Sequence, residues 1–452
     1  MKNPSLLSSP SATSAVHPTF REAFLFWLKL GFISFGGPTG QIAIMHTELV
    51  EKRRWISNTR FLHALNYCML LPGPEAQQLA TYIGWLLHRT WGGVIAGSLF
   101  VLPSAILLWA ISLVYVVYGQ LPWVTAVFEG WKPAVLAIVA AAVLRMGKKA
   151  LKNEVMWVIA GLAFTLIFYF RVPFPLIILG AGLLGWAGGH GWQEKLVVLK
   201  PHGSKDAMSA SVLDDSDASP DHARPSFARA WKVCVVCLAL WWAPVLLIGV
   251  LLGFDHVLVQ QGVFFSKAAM VTFGGAYAVL PYVSQQAVEG FHWLSAGQML
   301  DGLGFAETTP GPLIMVLQFV GFLGAWSFHA PFSPWVAATC GALITTWTTF
   351  LPCFLWIFLG APHIEQLRGH VRITAALSTI TAAVVGVVLN LAVWFGVRVL
   401  IPADAPVNWF GVALSIVAFW GIVKRGWNII PVVLLAGAMG VLQRMLVRGA
   451  LL

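Results

Sequence analysis

Two lysines stand in apolar runs of this chain at matching places, and each is followed by a break. Lys29 precedes Phe35-Gly36-Gly37-Pro38, and Lys267 precedes Phe273-Gly274-Gly275-Ala276. Farther along, Pro72-Gly73-Pro74 is answered by Pro310-Gly311-Pro312. Gly-Gly and Pro-Gly-Pro interrupt the helical ladder and free backbone groups. Where a half-helix starts after such a break, its first N–H groups and positive dipole end face the gap. That is an anion site made from backbone alone. Gly36, Gly37, Gly73, Gly274, Gly275 and Gly311 are therefore read as openers of half-helices aimed at a substrate. Close helix packing through small residues is the plainer alternative. Four breaks in two matching pairs favour the site.

The side chains around the breaks extend this chemistry. An ammonium at bilayer depth costs about 2.5–3.5 kcal/mol, so two at equivalent places need a reason. Lys29 and Lys267 either complete a cationic pocket or reach back to the interface along their stems. Ser34 and its counterpart Thr272, with Thr39, Gln41, Asn66, Gln77, Gln78, Thr308 and Thr309, supply hydroxyls and amides. A tetrahedral oxyanion needs such donors from several directions. Glu75 follows the first Pro-Gly-Pro and Glu307 precedes the second, with Asp301 upstream. A carboxylate beside an anion repels it unless protonated, so Glu75 and Glu307 are candidates for proton coupling. The alternative is a first-turn or capping acid. No histidine spacing suits a metal. Cys234-Val-Val-Cys237 lies inside an apolar helix without a second ligand pair. No metal, cofactor or catalytic group is expected. An embedded redox enzyme would want facing histidines, which the pattern lacks.

The elements that position these residues are repeated. Lys29 and Lys267, Trp55 and Trp293, and Gly73 and Gly311 are each 238 positions apart. Over positions 29–74, 13 of 46 residues are identical to those 238 later. The chain is a duplication. It has 452 residues, 58% of them hydrophobic and 10% charged; a soluble domain carries about 25% charged residues. Apolar segments recur at 22–46, 61–87, 92–118, 124–146, 155–170 and 173–187. They return at 257–283, 296–324, 332–359, 374–400, 408–422 and 429–446. This predicts an all-α polytopic membrane protein. Its parts are a polar tail 1–21 without a signal-peptide core, a first repeat 22–187 and a hydrophilic linker 188–230. An extra crossing 231–253 and a second repeat 254–452 follow.

That unpaired crossing turns the second repeat upside down, giving an inverted repeat with the substrate where the halves meet. The net charge of +10 then reports orientation before any nucleic-acid partner. Arg145, Lys148, Lys149, Lys152, the linker cations, Arg368, Arg372, Lys424 and Arg425 fall on the side of the N-terminus. The positive-inside rule makes that side cytoplasmic and leaves the C-terminus outside. Lys52, Arg53, Arg54 and Arg60 obey the rule only if 22–46 and 61–87 are re-entrant hairpins or strongly broken helices. The same is expected of 257–283 and 296–324. Irregular backbone at membrane depth is tolerated only in protein or beside a polar cavity.

Phe35-Gly-Gly-Pro38, the basic Glu51-Lys-Arg-Arg-Trp55 loop, Leu71-Pro-Gly-Pro-Glu75 and Leu102-Pro103 resemble the N-terminal half of the chromate ion transporter family. Phe273-Gly-Gly275 and Thr309-Pro-Gly-Pro312 resemble its C-terminal half. The likeness covers most of residues 22–447 and is to the long, two-domain form. It implies efflux of chromate across a prokaryotic cytoplasmic membrane, with sulfate as the natural isostere. Other tetrahedral oxyanions on the same scaffold remain an alternative, and a homodimer is left open. One departure is Ala276, where the first copy has Pro38.

Overall fold

A computed structural model describes residues 17–35, 37–189, 196, 212, 226–363, 371–402 and 406–448. Gly36, most of the expected linker and most of the expected tail lie outside them. All the regular elements among the described residues are helices. In the first half they are α1 (Phe20–Ile33), α2 (Gly37–His46), α3 (Asn58–Cys68), α4 (Glu75–Tyr118), α5 (Pro122–Ala150), α6 (Glu154–Phe168) and α7 (Phe174–Gly188). α8 (Phe227–Leu252) follows. The second half has α9 (Val257–Met270), α10 (Ala276–Gln285), α11 (Ala296–Thr308), α12 (Val316–Ser327), α13 (Pro334–Gly360), α14 (Val371–Leu400), α15 (Trp409–Arg425) and α16 (Ile429–Arg448). Among the described residues, six helices are long and apolar enough to cross a membrane: α4, α5, α8, α13, α14 and α16.

The halves correspond element by element. Even the π-helical turns after α2 (Thr47–Lys52) and after α10 (Gln286–Gly290) recur. α4 matches α12 and α13 together. His88 and Arg89 leave helical geometry inside it, and its two arms then run antiparallel. A Cβ at Gly92 would meet the Gly84 carbonyl, and one at Gly97 would meet Thr81 and Gln77. Likewise a Cβ at Gly341 would meet Ala325, and one at Gly321 would meet Thr345.

Both halves begin with two helical hairpins. The chain leaves Phe26 on α1, turns at the break and returns so that Trp55 meets the Phe26 ring edge to face, 5.1 Å between centroids. Arg53 sits 4.9 Å over the same ring. In the second half Trp293 returns to 5.6 Å from Phe264, and these residues are again 238 positions on. The second hairpins close in the same way. Phe305 and Phe319 lie 5.7 Å apart across the second Pro-Gly-Pro, and a Cβ at Gly302 would strike the Phe319 ring. The first arm of α4 ends beside the start of α1, with His88 Nε2 3.0 Å from the Pro18 carbonyl.

Following the chain from these hairpins fixes the relation of the halves. The second arm of α4 and its counterpart α13 run antiparallel: a Cβ at Gly93 would meet the Phe358 ring, and Trp109 donates to Thr339. α1 begins at what is here the near face, and α8 carries the chain to the far face, where α9–α12 form their hairpins. The repeat is inverted, as the parity of segments predicts. Outer helices of each half pack on the long helix of the other. A Cβ at Gly386 of α14 would fall 2.0 Å from the Ala160 carbonyl on α6, and one at Gly130 of α5 would fall 2.0 Å from Ala436 on α16. Small residues permit that approach.

Candidate functional site

The hairpin tips of the two halves meet reciprocally. The Gly73 N–H donates to the Thr272 carbonyl (2.7 Å), and the Gly311 N–H donates to the Ser34 carbonyl (2.7 Å). Each bond joins a Pro-Gly-Pro of one half to the Gly-Gly break of the other. Exchanging the halves turns one bond into the other, so a pseudo-two-fold axis passes between them. The glycines are required twice over. Gly73 has φ +121° and Gly311 φ +103°, a region costly to a side chain. A Cβ at Gly73 would stand 2.7 Å from Cys353 Sγ, and one at Gly311 would stand 2.3 Å from Ser104 Cβ. Ser104 and Cys353 each follow the proline of their long helix, Pro103 and Pro352. Gln41 adds a third tie, donating to the Gly311 carbonyl at 2.6 Å.

Helix starts in this fold divide into two kinds. Those at the mouths of the hairpins are capped by side chains: Thr19 for α1, Ser57 for α3, His256 for α9 and Ser295 for α11. Those at the tips are not. α4 opens on Pro74, α10 on Gly275 and the turn into α12 on Pro312, none with a side-chain cap. Their first N–H groups lack intrahelical partners. Two of these starts, those of α4 and α10, lie close together, since a Cβ at Gly275 would stand 3.1 Å from the Glu75 carboxylate; a helix start carries free N–H groups and the positive end of its dipole. At Gly37 and Gly274, φ is +66° and +81°, and an added Cβ would meet no atom within 4 Å. The backbone there borders open space.

The expected side-chain donors are placed differently. The Ser34 and Thr272 hydroxyls each donate at 2.6 Å to the carbonyl one turn back, Leu30 and Ala268. Thr308 does the same with Gly304 at 2.9 Å. They satisfy their own helix ends. Gln77 is buried and gives its amide to Thr81, with its carbonyl oxygen unpartnered. Thr309 is buried and Asn66 half-buried on α3. Gly36 lies outside the described residues. Lys29 and Lys267 are exposed, and the break does not enclose them. Lys29 shares a helix face with exposed Leu25, Phe32 and Ile33. Its charge reaches Glu48 at the hairpin mouth, whose carboxyl is held below its usual range first by the Lys52 hydrogen bond and then by Lys29 and Arg53. Cations face the break from the end of α5: Arg145 hydrogen-bonds Tyr277 and its charge reaches Glu307, while the charge of Lys149 reaches Glu75.

The acids differ from one another. Glu75, in the first turn of α4, reaches the opposite break, and a Cβ at Gly275 would lie 3.1 Å from its carboxylate. Glu307 accepts a hydrogen bond from Tyr277 of α10. That bond, the Gln41 tie and the Ser104 and Cys353 contacts join residues that no local spacing links. The repeated Leu-Pro before Ser104 and Cys353 is the one trace of them in the sequence.

Comparison with known proteins agrees with this architecture. The family described as chromate transporter matches residues 21–186 and 259–441, one stretch in each half. A chromate transport protein of Pseudomonas aeruginosa is 32% identical, covering 96% of this chain and 95% of its own length. A chromate transport protein of Cupriavidus metallidurans is 30% identical over 86% of both chains. An uncharacterized transporter of Bacillus subtilis, 25% identical, matches 36% of this chain but 93% of its own. It corresponds to a single half. No solved structure matches the chain.

Proposed function

The chain belongs to the chromate transporter family, and from that premise we propose that it exports chromate across the cytoplasmic membrane and so confers chromate resistance. Reciprocal hairpin tips, with uncapped helix starts facing one another, carry this reading. Backbone donors at a fixed centre suit a small tetrahedral dianion. They stabilise it without bond making, so the substrate leaves unchanged. Alternating access follows from rocking one half against the other about that centre. Glu75 stands where the anion's charge would fall, and protonation or withdrawal of its carboxyl would accompany binding. Glu307, bonded to Tyr277, is the second candidate for a proton. Gly37, Gly73, Gly274, Gly275 and Gly311 form the backbone cradle.

The near face is cytoplasmic in this reading. On that reading Arg145, Lys148, Lys149, Lys152, Arg372, Lys424 and Arg425 fall on the cytoplasmic side, and Arg171, Arg398 and Arg444 on the other. The positive-inside rule favours that assignment. Sulfate has the same shape and charge and would engage the same donors, so it should compete.

Purified protein in liposomes tests the reading. Saturable chromate flux, slowed by excess sulfate, is expected. Gly37→Leu, which fills the open space at the break, should abolish it while the protein stays monodisperse. A folded wild-type protein that moves neither anion would end the proposal.

A further inference from the structure

Away from the central break, one buried acid–base pair joins the two halves. Asp301 on α11 is 3% exposed. One of its carboxylate oxygens accepts from the Tyr115 hydroxyl of α4 at 2.9 Å. The other has no hydrogen-bond partner although it is fully buried. The Lys132 ammonium of α5 stands 3.9 Å from that oxygen, close enough for charge attraction but too far for a hydrogen bond. Both partners of Asp301 belong to the first half, whereas Asp301 belongs to the second. Around the pair, Phe128, Trp131, Phe305 and Phe319 form an aromatic wall, with Tyr115 lying 5.2 Å from both Phe128 and Phe319. The next charges on α5 and α16 are Glu129 and Arg444, paired with each other at 3.9 Å.

We infer that Asp301 is a proton-binding site of the transport cycle, filled when the α11–α12 hairpin leaves Lys132 and emptied when it returns. The inference rests on the transporter reading above. An ionised carboxylate among aromatic rings is tolerated only with a cation beside it. Motion of one half against the other parts Asp301 from Lys132. The carboxylate then takes one proton from the solvent and becomes a neutral acid. On return, the ammonium again favours the ionised form and the proton leaves. The unpartnered oxygen is the place for that proton. The position 238 residues earlier is His63, so both hairpins carry a titratable side chain at this register. Asp301 lies ten residues before Gly311 on the hairpin that forms the centre.

Anion flux in liposomes, with and without an imposed pH gradient, tests the assignment. Asp301→Asn should keep chromate-induced thermal stabilisation and lose the response of flux to the gradient, while Asp301→Glu should retain it. Lys132→Gln removes the cation that favours ionisation, so Asp301 should hold its proton to higher pH. The midpoint of the flux–pH curve should rise by about one to three units. A gradient response that survives Asp301→Asn, or an unmoved midpoint in Lys132→Gln, would overturn the assignment. Wild-type flux indifferent to the gradient would also overturn it while leaving the transporter reading intact. Wild-type protein that moves no anion would remove both.

Discussion

A single methyl group added at Gly311 would meet two obstacles, a backbone at φ +103° and the Ser104 side chain 2.3 Å away. The first costs about 1–3 kcal/mol for a residue with a side chain, and the second forces α4 or the hairpin tip to move. Gly311→Ala should therefore lower stability and flux together. Shortening Ser104 to glycine relieves the contact and leaves the backbone strain in place. In a double-mutant cycle, Gly311→Ala and Ser104→Gly should show a favourable interaction of at least about 0.5 kcal/mol, read from denaturant unfolding in detergent. Strict additivity would mean the tip does not press on α4 as described. The sequence made these glycines conspicuous through their spacing and neighbouring prolines. It did not reveal what they press against, because Ser104 and Gly311 lie in different halves and no local period joins them. The same limit hid the partners of Asp301. For Lys29 and Lys267 the repeat was legible, but the direction in which a long side chain points depends on packing around its helix.

At the level of elements, the break positions and the segment lengths carried most of the fold. Segments of 25–30 residues with glycine and proline near the middle had to fold back or snap. The observed pairs, such as α1 with α2 and α9 with α10, turn at those residues. Whether each pair spans or returns is decided by contacts such as Phe26 with Trp55, between residues too far apart for a sequence period to link. Short helices such as α6 and α7, each 15 residues, show the same weakness: an apolar run gives their existence and not their tilt. The hairpin topology has a direct consequence for accessibility. Lys52 follows α2 on the near face, and Glu289 follows α10 on the far face. Lys52→Cys and Glu289→Cys, each at an exposed surface ion pair worth less than about 1 kcal/mol, should leave the fold intact. An impermeant maleimide should label Glu289→Cys in intact cells and Lys52→Cys only after permeabilisation. Labelling of both from one side would make the halves parallel, and the reciprocal tips could not then arise from an inverted repeat.

For the molecule as a whole, the two-fold arrangement places the candidate site at the junction of the halves, and the charges around it set the energetics of a cycle. A dianion held by backbone amides brings two negative charges with it. Lys29 and Lys267 stand exposed on their helices, and Arg145 and Lys149 already answer Glu307 and Glu75. Moving one charge across the membrane is worth about 2.3 kcal/mol per 100 mV. A dianion leaving an interior that is negative by that amount therefore gains about 4.6 kcal/mol, enough for a gradient of roughly a thousandfold. A proton returning through Asp301 would add to the same sign. In the proposed direction the transport needs no phosphate-bond energy, and the flux should be electrogenic. In liposomes holding a potassium diffusion potential, making the compartment at the near face negative should accelerate chromate movement toward the far face. Reversing the potential should slow it. A rate independent of the potential would mean that compensating charge travels with the anion. The donor set at the centre would then have to include a mobile cation, and the exposed lysines would be the first residues to replace.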